Sequence, residues 1–398
     1  VALPEVVLKP RRDHPILEGH PWVFTGAVAR HPTGVEPGGI VGVRASDGLF
    51  IGKGYYNPES SIPVRILTVD PDEEIDRPFL QRRIERAMAL RRDHFDPEVT
   101  SAYRLVHGET DALPGLIVDR YADYLVVQFH TMGMDRLKAM VVDVLERVGG
   151  AKGIFERSDV GTRRAEGFEV FPVGVLSGDE PPERIEFVEN GVRFWVDVSK
   201  GQKTGFFLDQ RDNRLELERH CKDSDVLNLF SFSGGFSVYA AQGGARSAVS
   251  VDISEPAVAM ARANLELNGF DPATHPCIAA NCFDYLKESR AAGRMFDVVV
   301  VDPPAFVSNR EALDKALKSY ISLNRRAIDL VRPGGILVTS SCSTQVDYDQ
   351  FYRVVKHAAT AARREVHLFK SHLMSIDHPA SSRFPEGRYL KCLFGVVR

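Results

Sequence analysis

The stretch from Asp225 to Asp252, DVLNLFSFSGGFSVYAAQGGARSAVSVD, constrains the fold more than any other. Val226 to Phe230 is an apolar run with the length and composition of a buried strand. A small-residue turn, Ser231-Phe232-Ser233-Gly234-Gly235, leads into a short helical stretch from Phe236 to Gln242. A second apolar run, Ala248 to Val251, ends in Asp252. Strand, glycine turn, helix, strand and acid form the first half of a nucleotide-binding α/β unit. The glycines let the backbone approach a ligand closely, and an acid at the second strand's tip can hold both hydroxyls of a ribose. Ser233-Gly234-Gly235 lacks the G-x-G-x-x-G spacing of a dinucleotide site, and no Gly-Lys-Ser/Thr follows to make a phosphate loop. An adenosine ligand without a diphosphate fits, S-adenosylmethionine (SAM) being the commonest. Taken alone, the unit can also be read as scaffold.

A chain of 398 residues has room for two or three domains. No apolar run is long enough to span a bilayer, and no charged-then-apolar leader opens the sequence, so a cytoplasmic protein is expected. Five cysteines without paired C-x-x-C spacing argue against a disulfide framework and a structural metal site. The net charge of −4 does not mark a nucleic-acid binder. Gln81 to Arg92, QRRIERAMALRR, nevertheless carries five arginines against one glutamate at helical spacing. It reads either as a solvated helix face or as a surface that tracks phosphates.

Residues 1–72 are rich in β-branched residues, Gly and Pro, with strands expected at Val6 to Leu8, Ile40 to Arg44, Phe50 to Tyr56 and Pro63 to Thr68. A small β-barrel with one edge helix is the economical reading. Residues 73–198 suggest a compact α+β middle domain, with an amphipathic helix from Met134 to Val148 and a hairpin closing at Asn190-Gly191. From 199 to 398 strands and helices alternate, predicting an α/β doubly wound, Rossmann-like sheet with its ligand at the C-terminal strand ends. Its longest helix should run from about Glu311 to Val331 and stop at Pro333-Gly334-Gly335.

Within that last region, Phe296 to Phe306 reads FDVVVVDPPAF. Four valines mark a strand buried on both faces, and Asp302-Pro303-Pro304 stiffens its exit where a flat base could be gripped. The plainer reading is a strand-ending turn. Cys342, in VTSSCS, falls just past the next strand and beside Asp302. A cysteine there can be a nucleophile, although free Cys is more often buried and inert. Cys282 is the second candidate. Gly201 to Arg214, GQKTGFFLDQRDNR, is too polar for core and suits a segment that covers a ligand.

These runs, with NLFSFSGGFSVYA and the terminal DHP–FPEGRYLK stretch (Asp377 to Lys391), resemble the RlmI-like family of rRNA methyltransferases. HPWVFTGAV and GKGYYNPESSIPVRILT resemble that family's N-terminal PUA domain, an RNA-binding pseudobarrel, and LVHGETDALPGLIVDRY its middle domain. The resemblance implies a SAM-dependent enzyme that methylates cytosine C5 in large-subunit (23S) rRNA, and the family analogy admits a homodimer. It also implies roles for single residues. Asp252 would hold the SAM ribose and Asn281 the adenine, with Phe230, Ser231 and Gly234 lining the cofactor. Phe207, Gln210 and Arg211 would cover its methionine end. Cys342 would be the nucleophile. Asp302 would border the cofactor and hydrogen-bond the target base, which Pro303, Pro304 and Phe306 would flank. Ala305 stands where two-cysteine RNA cytosine methyltransferases have a second Cys, so the group that removes the C5 proton stays open. A nitrogen methyltransferase acting on guanine is the nearest rival reading, because Asp-Pro-Pro-Ala-Phe resembles a box that grips amino-bearing bases. A non-catalytic RNA-binding protein stabilised by SAM is the alternative of another class.

Overall fold

A computed structural model describes residues 3–201, 203–306 and 313–398. Contacts gather the chain into two compact units. One comprises Val1–Val188, Val196–Phe206 and Asp377–Gly387, and the other Glu189–Trp195, Phe207–Ile376 and Arg388–Arg398. Consecutive blocks of sequence do not anticipate this, because Asp377–Gly387 returns to the first unit from near the C-terminus. Residue 72 remains our proposed division inside that unit, since one sheet ends at Thr68 and the next begins at Ala102.

The first of these sheets has six strands. Val6, Leu8, Val41, Val43, Val64 and Ile66, alternating along their strands, fill its core. Two of its strands, Trp22–Val23 and Val28–Arg30, are too short to leave a periodic signal. The helix Arg77–Arg92 starts at Asp76, whose carboxylate accepts the Phe79 N–H at 2.9 Å, with a proline in the first turn. Phe79, Leu80, Ile84 and Ala87 on one face share a core with Leu105, Val118 and Val127 of the second, five-stranded sheet. The amphipathic helix expected over Met134 to Val148 is two helices, Met132–Arg136 and Lys138–Val148. Thr131 caps the first of them through the Met134 N–H.

In the second unit seven strands form one sheet: β1 (Asp225–Leu229), β2 (Ser247–Asp252), β3 (Cys277–Ala279), β4 (Phe296–Val301), β5 (Val331–Ser341), β6 (Val366–His372) and β7 (Lys391–Val397). Their spatial order is β3-β2-β1-β4-β5-β7-β6. The first five are parallel, and β7 runs antiparallel to both its neighbours. Chain order reverses between β1 and β4, which opens a crevice at their C-terminal ends. The valines of β4 explain the doubly wound form. Val299 and Val301 enter one core and Val298 and Val300 the other, so helices must cover both faces.

One expectation fails within this sheet. The described helix before β5 runs Leu313–Ile328, and Glu311, where it was expected to begin, lies outside the described residues. Pro333-Gly334-Gly335 does not end the helix but lies inside β5. There the register against β4 jumps from Phe296↔Val331 to Val298↔Ile336, and Gly334 takes a φ of +81° that favours glycine. Among the described residues no helix is long and apolar enough to cross a membrane.

Candidate active site

The parallel strands deliver five chemistry-bearing segments to one edge of the sheet. In spatial order these are Asn281 after β3, Asp252 at the end of β2, Phe230 to Gly234 after β1, Asp302 after β4 and Cys342 after β5.

The turn after β1 is held in a costly shape. Phe230 and Phe232 have φ of +58° and +47°, the left-handed region that non-glycine residues seldom adopt. Asp252 supports it. Its Oδ2 accepts the Phe232 N–H at 2.9 Å, and Oδ1 accepts the Ser254 N–H at 2.9 Å. Each oxygen keeps a second lone pair, so the carboxylate can take two hydroxyls as well. Gly234, at φ +79°, packs so closely on Ala261 that a Cβ would lie 2.8 Å from the Ala261 methyl. Ser231 and Ser233 carry buried Oγ atoms with no hydrogen-bond partner among the described residues. Buried hydroxyls of this kind ask for a polar ligand. Together with the free lone pairs of Asp252 they fit a ribose and an amino-acid moiety, and thus SAM.

Asn281 is exposed, and its Oδ1 caps the helix Cys282–Ala291 through the Phe283 N–H at 2.9 Å. A base placed there would meet the amide NH₂ rather than the oxygen.

On the other side of the turn, Gln210 is buried and its Nε2 donates to Asp302 Oδ1 at 2.9 Å. Asn213 Nδ2 in turn donates to Gln210 Oε1, which fixes the amide orientation. Phe207 meets Phe232 edge-on at 5.1 Å. Arg211 is only 1 % exposed and lies 3.7 Å from Glu189, the carboxylate that Arg214 grips at 2.7 and 2.6 Å. Burial at that ion pair gives Arg211 a part in anchoring the segment, which sequence reasoning did not foresee. Thr204 and Phe206 of the same sequence run belong to the first unit. There the Thr204 hydroxyl donates to Asp119 at 2.6 Å and the Phe206 N–H donates to the Tyr121 hydroxyl at 3.1 Å.

Past β4, Pro303 is buried while Pro304 and Ala305 are exposed. Phe306 is half-buried against the Tyr320 ring at 4.7 Å. Of the five thiols only Cys342 is not buried. Burial pushes Cys221 and Cys282 up to about 12 and raises Cys277 and Cys392 too. Cys282 Sγ accepts the Phe230 N–H at 3.3 Å, so the fallback nucleophile is a buried support for the strained turn.

Sequence reasoning assigned no role to two residues near Cys342. Tyr320 is fully buried, accepts the Ser341 Oγ–H at 3.1 Å and is pushed up to about 12 by burial. Lys391 opens β7, buried to 2 % exposure. The only signal for Lys391 is a lysine embedded in an apolar strand.

A Rossmann-like sheet with these residues at its switch point defines a SAM-dependent methyltransferase. Comparison with known proteins agrees. Residues 171–370 match the S-adenosylmethionine-dependent methyltransferase family model and residues 6–69 the PUA-like domain model. The chain is 44% identical to the ribosomal RNA large subunit methyltransferase I of Shewanella denitrificans, over 98% of this chain and 99% of that protein. It is 41% identical to the protein of the same name from Alteromonas mediterranea, over 98% of each. A methyltransferase chain solved in complex with SAH superposes with a TM-score of 0.87 over 99% of this chain and 100% of its own, at 22% identity, which supports the fold. The chain belongs to the family of the ribosomal RNA large subunit methyltransferase I proteins.

Proposed function

We propose that this protein methylates C5 of a cytosine in large-subunit rRNA, with Cys342 as the nucleophile. One observation carries the reading: the one cysteine that is not buried stands just past the tip of β5, next to the strand that Asp302 follows. The names of the relatives supply the substrate class.

Bound SAM supplies an electrophilic methyl carbon on a sulfonium. The chain must then make C5, a poor nucleophile, reactive. Addition of the Cys342 thiolate to C6 moves the C5–C6 π electrons onto C5, which takes the methyl group. A base removes the C5 proton, the double bond re-forms, and the thiolate leaves with its electron pair. Asp302, held by Gln210, would hydrogen-bond the ring N3 through a shared proton, which neutralises the negative charge that the addition builds there. Asp252 would hold the ribose, Asn281 the adenine, and Phe230, Ser231 and Gly234 the cofactor between them. Phe207 and Gln210 would close over the methionine end, and Pro303, Pro304 and Phe306 would flank a base taken out of its stack.

For the rRNA itself, the first unit offers a cleft of about 860 Å³ lined by Arg82, Arg83, Arg86 and Arg383 among others. Arg86 and Arg383 are exposed there, as phosphate contacts require. We place the protein in the cytoplasm, where that substrate is. Incubation with labelled SAM and unmodified rRNA, followed by nucleoside analysis, tests the reading. Label in 5-methylcytidine supports it, label in a methylguanosine replaces it by the nitrogen-methylation reading, and no label contradicts both.

A further inference from the structure

Lys391 pairs with Ser341 across β5 and β7, one residue before Cys342. Its Nζ donates to the Ser343 carbonyl at 2.5 Å and to the Tyr389 carbonyl at 2.7 Å. These bonds use two of the three ammonium protons and neutralise none of its charge. Taking an ammonium to 2 % exposure is costly unless an anion faces it. The groups that face it across these elements are few. From β5 and the loop beyond come the Cys342 thiol and the Asp347 carboxylate, both of which favour the charged lysine. From the helix Leu313–Ile328 comes Tyr320, which senses both Cys342 and Asp302 and stays neutral because burial pushes it up to about 12. Asp302, at the end of β4, disfavours a neighbouring thiolate. Of Asp302, Asp347 and Lys391, only the lysine can stabilise one.

We propose that Lys391 is the positioning residue that keeps Cys342 a thiolate, its buried ammonium being fixed one residue beyond the sulfur by the Ser343 and Tyr389 carbonyls. The proposal rests on the reading of Cys342 as nucleophile. Burial draws Lys391 down to about 8, against the opposing pull of Cys342 and Asp347. The cation therefore persists at neutral pH and is lost in mildly alkaline solution. The arrangement also accounts for a lysine inside the FPEGRYLK run, where an apolar residue would otherwise suit the strand.

The test is the rate of Cys342 alkylation by iodoacetamide against pH in the full-length protein, read on the Cys342 peptide by mass spectrometry. In the wild type the midpoint should fall below the ordinary thiol value of about 8.5. Lys391→Met should raise it by about one unit or more, and Lys391→Arg, whose charge persists to high pH, should restore it. A wild-type midpoint at or above the ordinary value would overturn the proposal, as would a Lys391→Met midpoint unchanged from wild type. Should Lys391→Met not fold, wild type and Lys391→Arg decide alone, and an arginine variant titrating like an ordinary thiol counts against it. Alkylation reports on the sulfur whatever base is methylated, whereas nucleoside analysis of the wild-type product reports on the C5 chemistry. The two readings therefore fail separately.

Discussion

Asp252 accepts the backbone N–H of Phe232 at 2.9 Å, and Phe232 is held at a φ of +47°. The same carboxylate thus supports a strained turn and faces the place of the ribose. Asp252→Ala should weaken SAM binding by about 1–3 kcal/mol through loss of charge-assisted hydrogen bonds. It should also lower thermal stability without ligand, because the turn loses its brace. Calorimetry and thermal melts on the variant check both, and unchanged SAM affinity would place the ribose elsewhere.

Gln210 reaches Asp302 at 2.9 Å with its own orientation fixed by Asn213. Gln210→Ala should release the Asp302 carboxylate and slow single-turnover methyl transfer by about tenfold, the worth of one hydrogen bond to a charged group. A variant as fast as wild type at saturating SAM would show that the clamp does not serve the reaction.

The five arginines of the helix Arg77–Arg92 beyond its first residue do not act alike. Arg91 is 1 % exposed, bonded to Asp111 at 2.8 Å and to the carbonyls of Arg104 and Asp377. Arg86 is exposed in the cleft. Arg91→Ala should destabilise the fold by about 3–5 kcal/mol, as expected for a broken buried pair. Arg86→Ala should leave the melting temperature in place, weaken RNA binding and reduce the slope of log affinity against log salt by about 1. Unfolding curves and salt titrations of RNA binding separate the two, and equal effects would contradict the assignment.

Much of the site could be read along the chain because it is carried by strand ends. Asp252 and Asp302 each follow an apolar run and Cys342 follows one by three small polar residues, and a doubly wound sheet must bring such ends to one edge. What could not be read depends on contacts distant in sequence. The family resemblance set Arg211 at the cofactor's methionine end, and only the fold shows Glu189 beside it. The break at Pro333-Gly334-Gly335 belongs to a strand and not to a helix end, since pairing with β4 decides it. Lys391 acquires its surroundings only when β7 inserts beside β5.

Cys282 is a buried support in this account, with Sγ on the Phe230 N–H at 3.3 Å. Cys282→Ala should therefore still form a covalent adduct with RNA carrying 5-fluorocytosine at the target, while losing about 1 kcal/mol of stability with the hydrogen bond. Loss of the adduct in a folded Cys282→Ala protein would move the nucleophile to β3's end.

The most direct test of the central claim is the Cys342→Ala variant assayed for methyl transfer to rRNA and for the same trap. The claim predicts normal folding, near wild-type SAM affinity, no 5-methylcytidine and no denaturation-resistant adduct, because fluorine cannot leave C5 as the proton does and the sulfur that would be caught is gone. A Cys342→Ala protein that methylates cytosine C5 at near wild-type rate would contradict it.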